Sequence, residues 1–361
     1  MIYVVIGTKA QLIKMAPIMV ELQKRGIRYN FIFTGQHLET VHKLRENFGI
    51  DHPSHTLYHG KDVTSLLQVV PWILTTLYMV LVNKRTLFEG RGGNDIVLVH
   101  GDTFSTVLGA IIGRLFHKKV GHVESGLRSY HIFHPFPEEL NRLLTFTLST
   151  VYFCESDEAV GNLRRFKGDK INTRYNTMYD ALTLALDRSR DVSVDIPDEP
   201  YCIVSIHRFE NIFLKPRLRQ IIADVNDISK KIKTIFILHK PTKERLQKNG
   251  YMKDFSERVE LRERYDFLQF QKILASCEFM VTDGGGNQEE CKFLGKPCLL
   301  MRKTTERPAD LGKNIVLSSY DKKKIDDFVD NYHRYESEPL HVDSPSKKIV
   351  DYLVANHYTS H

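Results

Sequence analysis

Residues 278–301 read EFMVTDGGGNQEECKFLGKPCLLM. An apolar run at 278–282 gives way to Asp283 and three glycines, Gly284, Gly285 and Gly286. A helical pattern then starts near Asn287, and a second apolar run follows at 297–301. A strand, a glycine turn, a helix and another strand in so short a stretch form a βα unit, whose successive strands lie parallel in one sheet. The same grammar recurs on both sides. It predicts strands at 2–6, 29–33, 95–99, 119–123 and 151–153 in the first half, and at 201–206, 234–238, 259–261, 278–282, 297–301 and 314–317 in the second, with helices between. Residues 187–200, with seven charged residues, two prolines and no sustained period, read as the linker. The expected fold is α/β, with two doubly wound parallel-sheet lobes. The segment 344–354 reads as a capped helix with Ile349, Val350, Leu353 and Val354 on one face.

A chain of 361 residues, 42% hydrophobic and 26% charged, has the profile of a globular protein of two domains. Lys and Arg number 51 against 44 Asp and Glu, a formal charge of +7 that suits an anionic partner. Phosphates, nucleic acid and acidic membranes all qualify on charge alone. No basic run with interleaved aromatics supports nucleic acid. Residues 65–83 carry no charge, but Gln68, Pro71, Thr75 and Thr76 interrupt them, so a buried or subunit-packing helix pair is expected in place of a membrane span, and with it a homodimer. Five cysteines without a C-x-x-C pair, and no export signal after Met1, point to a reducing cytoplasm.

In parallel sheets ligands sit beyond the carboxyl ends of the strands. The residues there are unusually polar: Gly7-Thr8-Lys9, His100-Gly101-Asp102-Thr103, Glu124 to Arg128, His207-Arg208, His239-Lys240 and Asp283 to Asn287. Two such rims facing each other predict one interdomain cleft. Gly284, Gly285 and Gly286 ahead of a helix offer bare amides to a phosphate, or else form a turn that needs positive φ. Asp102, Glu124, Glu138 and Glu139 supply carboxylates and His207 an imidazole for proton transfer. Each has a structural alternative: Asp102 as a helix N-cap, Glu138 in a first turn after Pro137, His207 as a strand-end histidine. Lys9, Lys14, Arg128, Arg208, Arg302 and Arg307 are the rim's cations. Glu289 and Glu290 favour a helix N-terminus, and either could accept from a ribose diol. Metal is not indicated, because His131 and His134 fall in a loop without a ligand frame. Nor is a dinucleotide, since Gly7 lacks the G-x-G-x-x-G pattern.

Six motifs in order, His100 to Thr103, His122 to Arg128, Pro137 to Arg142, His207 to Asn211, Thr282 to Glu290 and Thr304 to Pro308, resemble the non-hydrolysing UDP-N-acetylglucosamine 2-epimerase family. The resemblance implies the GT-B architecture, with lobes at 1–175 and 176–343 and a terminal helix, 344–361, that rejoins the first. It implies epimerisation at carbon 2 of a UDP-N-acetylhexosamine for surface polysaccharide, by elimination and re-addition of UDP, without metal or NAD. By motif, Asp102, Glu124 and Glu138 become the acid/base carboxylates, and His207 serves the leaving phosphate. Gly284 to Gly286 would hold the diphosphate, Glu290 the ribose, Phe270 the uracil, and Lys9, Lys14, Arg128 and Arg307 anionic or sugar groups. Gln36, His37 and His239 resemble a regulatory site for a second UDP-sugar. The sequence departs from the family at Lys9-Ala10-Gln11, where Arg-Pro-Glu is usual, at Gly284 in place of Ser, and at Tyr265 in place of a frequent Gln. A hydrolysing epimerase, a GT-B glycosyltransferase and a non-catalytic UDP-sugar-binding protein remain as alternatives.

Overall fold

The computed structural model describes residues 1–36, 41–60, 62–63, 66–88, 94–131, 136–305, 307–308 and 311–359. Its elements build two parallel sheets. The first comprises β1 (Ile2–Ile6), β2 (Tyr29–Phe33), β3 (His55–Thr56), β4 (Ile96–His100), β5 (Lys119–Val123), β6 (Val151–Cys154) and β7 (Asp169–Asn172), in the order β3-β2-β1-β4-β5-β6-β7. The second comprises β8 (Tyr201–Ser205), β9 (Lys233–Leu238), β10 (Val259–Glu263), β11 (Phe279–Thr282), β12 (Cys298–Leu300) and β13 (Ile315–Leu317), in the order β10-β9-β8-β11-β12-β13. Each order reverses once, between β1 and β4 and between β8 and β11. Such switch points open a crevice at the strands' carboxyl ends.

The central strands are buried on both faces, which is why β1, β4 and β8 read as continuous apolar runs and not as alternation. Tyr3, Val5, Trp72, Val97 and Leu108 pack together beside the first sheet. Val204, Phe236, Phe279 and Phe328 do the same beside the second. Helices start where the turns supply caps. Thr8 accepts from the Gln11 amide ahead of helix Lys9–Lys24, Thr103 caps Phe104–Leu115, and Ser344 caps Pro345–Ala355.

The chain forms two compact units, Met1–Leu184 with Asp343–His361, and Ala185–Val342. The division falls at 184/185, not at the 175/176 taken from the sequence. Helix Met178–Ser189 begins in the first unit, where Asp180 Oδ2 accepts from the Ser346 amide at 2.7 Å. Helix Pro345–Ala355 is fastened to that unit by Arg25 Nη1 donating to Asp351 at 2.6 Å. Strands β3 and β7 went unread, one because it has two residues, the other because Asp-Lys-Ile-Asn carries no apolar run.

The segment expected as a helix pair at 65–83 is one helix, Leu66–Val82, continuous through Pro71. Val69, Trp72, Thr76 and Val80 are buried, whereas Leu67, Val70, Leu74, Tyr78 and Leu81 are exposed. Among the described residues no helix is long and apolar enough to cross a membrane.

Candidate active site

β4 ends at His100 and turns through Gly101, whose φ of +68° suits glycine. Asp102 is not the cap of the next helix, because Thr103 fills that position. The Asp102 carboxylate is free to take Arg142 Nη2 at 2.6 Å, and its carbonyl accepts from Asn141 Nδ2 at 2.9 Å. Glu124, just past β5, has φ +58°, a region non-glycine residues rarely enter. Its Oε1 accepts from Lys14 Nζ at 2.7 Å, and its Oε2 lies 2.9 Å from His100 Nε2. Lys14 is therefore committed to Glu124. His122 braces the same turn: Nε2 donates to the Gly101 carbonyl at 2.7 Å, leaving Nδ1 to accept from Ser125 Oγ at 2.9 Å. Burial pushes its pKa down to about 4, so the ring is neutral near pH 7.

Glu138 and Glu139 open helix Glu138–Leu148. Glu139 is fully buried, with Arg128 Nε on Oε1, and the Ser129 amide at 3.0 Å and Arg142 Nη1 at 3.2 Å on Oε2. Burial raises its pKa, but the Ser129 and Arg128 bonds outweigh this and hold the carboxyl below its usual range. Glu138, by contrast, keeps a buried Oε2 that no donor among the described residues satisfies. Arg128, expected to meet substrate, is held by Glu139 and lies 4.9 Å from the Tyr130 ring centroid.

Lys9 is half-buried at the start of its helix. Gln11 is buried. Its Oε1 accepts from the Gly7 and Thr8 amides at 2.9 and 3.1 Å, and its Nε2 donates to the His100 carbonyl at 2.8 Å. The residue that replaces the family's carboxylate thus stitches the β1 turn to the β4 turn. Gln36 Oε1 accepts from Ser105 Oγ at 2.6 Å in a buried cluster. His37 lies outside the described residues.

In the second unit, Asp283 is the hub. Its fully buried carboxylate accepts from the His207 amide at 3.0 Å, the Arg208 amide at 2.9 Å and Asn211 Nδ2 at 2.8 Å. His207 stacks on His239 with ring centroids 4.5 Å apart, and its Nδ1 lies 3.3 Å from Asp283. Burial lowers the His207 pKa despite Asp283, with Arg208 and Arg264 adding to the fall. His239 Nε2 is 3.0 Å from Ser205 Oγ. His239 and Gln36 belong to different units.

Helix Gly285–Leu294 starts two residues earlier than expected. None of Gly284, Gly285 and Gly286 has positive φ, so the turn does not require glycine for conformation. Space is short at Gly284. A Cβ on Gly284 would stand 2.9 Å from His207 Cε1 and from Asn287 Oδ1, while one on Gly286 would meet nothing within 4 Å. The Gly284 amide donates to Thr282 Oγ1 at 3.0 Å, and no side chain caps this helix, leaving the amides of its first turn to an anion. Glu290 accepts from Gln271 Nε2 at 2.8 Å and Asn287 Nδ2 at 2.7 Å. Arg307 Nη1 is 2.9 Å from Glu289, which was read as a capping residue. Phe270 is half-buried and packs with Tyr265 against the core of this unit.

A family model for UDP-N-acetylglucosamine 2-epimerase matches residues 20–353. The chain belongs to the UDP-N-acetylglucosamine 2-epimerase family. It is 33% identical to the UDP-N-acetylglucosamine 2-epimerase of Bacillus subtilis over 84% of this chain and 79% of that one. To the enzyme of Neisseria meningitidis it is 30% identical, with 98% of both chains covered. A crystal structure of a Neisseria meningitidis UDP-GlcNAc 2-epimerase bound to UDP-GlcNAc superposes with a TM-score of 0.82 at 28% identity, over 98% of this chain and 99% of that one. The Methanocaldococcus jannaschii enzyme in complex with UDP-GlcNAc and UDP gives 0.80 at 27% identity, with the same coverage. A spinosyn forosaminyltransferase, 13% identical with a TM-score of 0.60, shares the fold alone.

Within the 2-epimerase family's motifs, Arg142 holds Asp102, and Asp283 with Asn211 anchors the turn that carries His207; none of these three, nor Gln11, was given a role at the site from the sequence. Arg142 had a visible signal, since it stands one helical turn after Glu139. Gln11 had one too, the Thr8-x-x-Gln11 spacing of a capping box; Asp283 had none, because its partners follow another strand.

Proposed function

We propose that the protein interconverts UDP-N-acetylglucosamine and its carbon-2 epimer by eliminating and re-adding UDP. The observation that carries this reading is the set of three first-unit carboxylates in three different settings: Asp102 on an arginine, Glu124 between a lysine and a histidine, Glu138 with an open buried oxygen. Carboxylates placed in different settings can give and take protons on opposite faces of one carbon. In the elimination one carboxylate removes the proton on carbon 2 as the bond from carbon 1 to UDP breaks, leaving a glycal. In the return the UDP oxygen bonds carbon 1 and another carboxylate protonates carbon 2 on the other face. His207 and the first-turn amides of helix Gly285–Leu294 carry the charge that develops on the departing diphosphate. Glu290 takes the ribose and Phe270 the uracil. The relatives crystallised with UDP-GlcNAc support this substrate. The test is the fate of UDP-GlcNAc with purified protein. A second UDP-sugar inverted at carbon 2, without net release of UDP, is expected; free UDP alone would instead identify a hydrolase.

The product would supply an N-acetylmannosamine-type sugar for surface polysaccharide, and five buried free cysteines suit a reducing cytoplasm. The working form is a homodimer joined through helix Leu66–Val82. Leu67, Val70, Leu74, Tyr78 and Leu81 recur at helical spacing and are 58–89% exposed, an apolar stripe that a second copy of the same helix can cover. Light scattering should give a dimer for the native protein and a monomer for Leu74→Glu with Tyr78→Glu. A native monomer would remove the proposal.

A further inference from the structure

Between β13 and helix Lys322–Asn331 the chain turns through Ser319 and Tyr320, with φ of +52° and +62°. The Asp321 amide closes the turn on the Ser318 carbonyl at 2.9 Å. Two successive residues at positive φ are the signature of a type I′ turn, which glycine, asparagine and aspartate normally occupy. A tyrosine there is an outlier that its surroundings must hold in place.

They do. The Arg217 guanidinium lies 3.5 Å from the Tyr320 ring centroid, and the Tyr320 amide donates to Ser318 Oγ at 3.1 Å. The phenol donates to Asn211 Oδ1 at 2.8 Å. Asn211 is fully buried and uses its amide nitrogen twice, on Asp283 Oδ2 at 2.8 Å and on the Met301 carbonyl at 2.9 Å. Both acceptors are oxygens without hydrogens, so the amide can face only one way, and Tyr320 is the donor that completes it. Asp283 in turn holds the amides of His207 and Arg208. One hydrogen-bonded path therefore runs across the carboxyl ends of four strands, from β13 through β12 and β11 to β8. The Ser319–Tyr320 backbone spends conformational energy to place the phenol at its far end.

We propose that Tyr320 is a positioning residue for His207, acting through Asn211 and Asp283. The inference rests on the reading that His207 serves the departing diphosphate. Without the phenol, Asn211 Oδ1 becomes a buried acceptor with no donor, the Asn211 side chain is held less firmly, and the Asp283 carboxylate that aligns His207 loosens. Asp283, Arg208, Glu210 and Arg264 are the charged groups facing His207, and His239 stacks on its ring. A looser Asp283 changes how that surrounding charge reaches the imidazole.

The test compares native protein, Tyr320→Phe and His207→Asn by steady-state kinetics with UDP-GlcNAc across pH, alongside thermal melting. Tyr320→Phe keeps the ring that Arg217 covers and removes only the hydroxyl. It is expected to lower kcat about tenfold with KM within about twofold, and to displace the pH profile of kcat, while the melting temperature stays within a few degrees. Native kcat and pH profile in Tyr320→Phe, with His207→Asn inactive, would overturn the positioning role alone. Native turnover in His207→Asn would overturn the role of His207 and this inference with it.

Discussion

Glu138 and Glu139 are adjacent in sequence and opposite in circumstance. Glu139 spends its charge on Arg128, Arg142 and the Ser129 amide, whereas Glu138 leaves a buried oxygen unsatisfied. Removing one partner from a buried ion network costs about 3 kcal/mol or more, so Glu139→Gln should lower stability by about that amount in denaturant titration. Glu138→Gln should leave stability within about 0.5 kcal/mol and cut turnover by about 100-fold or more. Equal stability losses in the two variants would contradict the division of roles. The sequence could propose both carboxylates, because a motif shows which residue types gather. The family resemblance singled out Glu138, but what occupies Glu139 was not legible, because that depends on Arg128 arriving from a loop and Arg142 from the next helical turn. Gln11 teaches the same lesson. Read from the sequence it is a lost carboxylate; in the fold both ends of its amide are in use.

Helices Lys215–Lys231 and Lys322–Asn331 meet at a charge that burial disfavours. Asp224 is 4% exposed, its Oδ2 has no donor among the described residues, and Lys322 Nζ stands 3.9 Å from its Oδ1. Burial raises its pKa from 3.8 to about 6 against the pull of Lys322. A folded-state pKa above the unfolded one means the ionised carboxylate costs stability at pH 7. That cost fades as pH falls through about 6 toward 4, where the folded state binds the proton first. Asp224→Asn should therefore stabilise the protein at pH 7, on the order of 1–3 kcal/mol, with the gain shrinking toward pH 4. A gain that does not depend on pH would sink the electrostatic cause. At this scale strands buried on both faces were legible as apolar runs, and β3 and β7 were not, because edge strands need little apolar sequence. The helix after Gly284 was placed late because glycine reads as a breaker, although here two glycines form its first turn.

The two sheets share one plan, a doubly wound order with a single reversal and polar residues at the strands' carboxyl ends. That plan was legible from one βα unit repeated along the chain, since parallel strands demand crossovers and crossovers fix where ligands gather. The unit boundary was less legible, because a hydrogen bond from Ser346 to Asp180 ties residues far apart in sequence. The central claim is the breaking and remaking of the bond between carbon 1 and UDP, with carbon 2 losing and regaining its hydrogen. The most direct measurement is proton NMR of UDP-GlcNAc incubated with the protein in deuterium oxide. The account predicts a second UDP-sugar epimeric at carbon 2, deuterium at that carbon in both sugars, and an undiminished UDP-sugar total. Recovery of UDP-GlcNAc with its carbon-2 hydrogen intact and no epimer would contradict it.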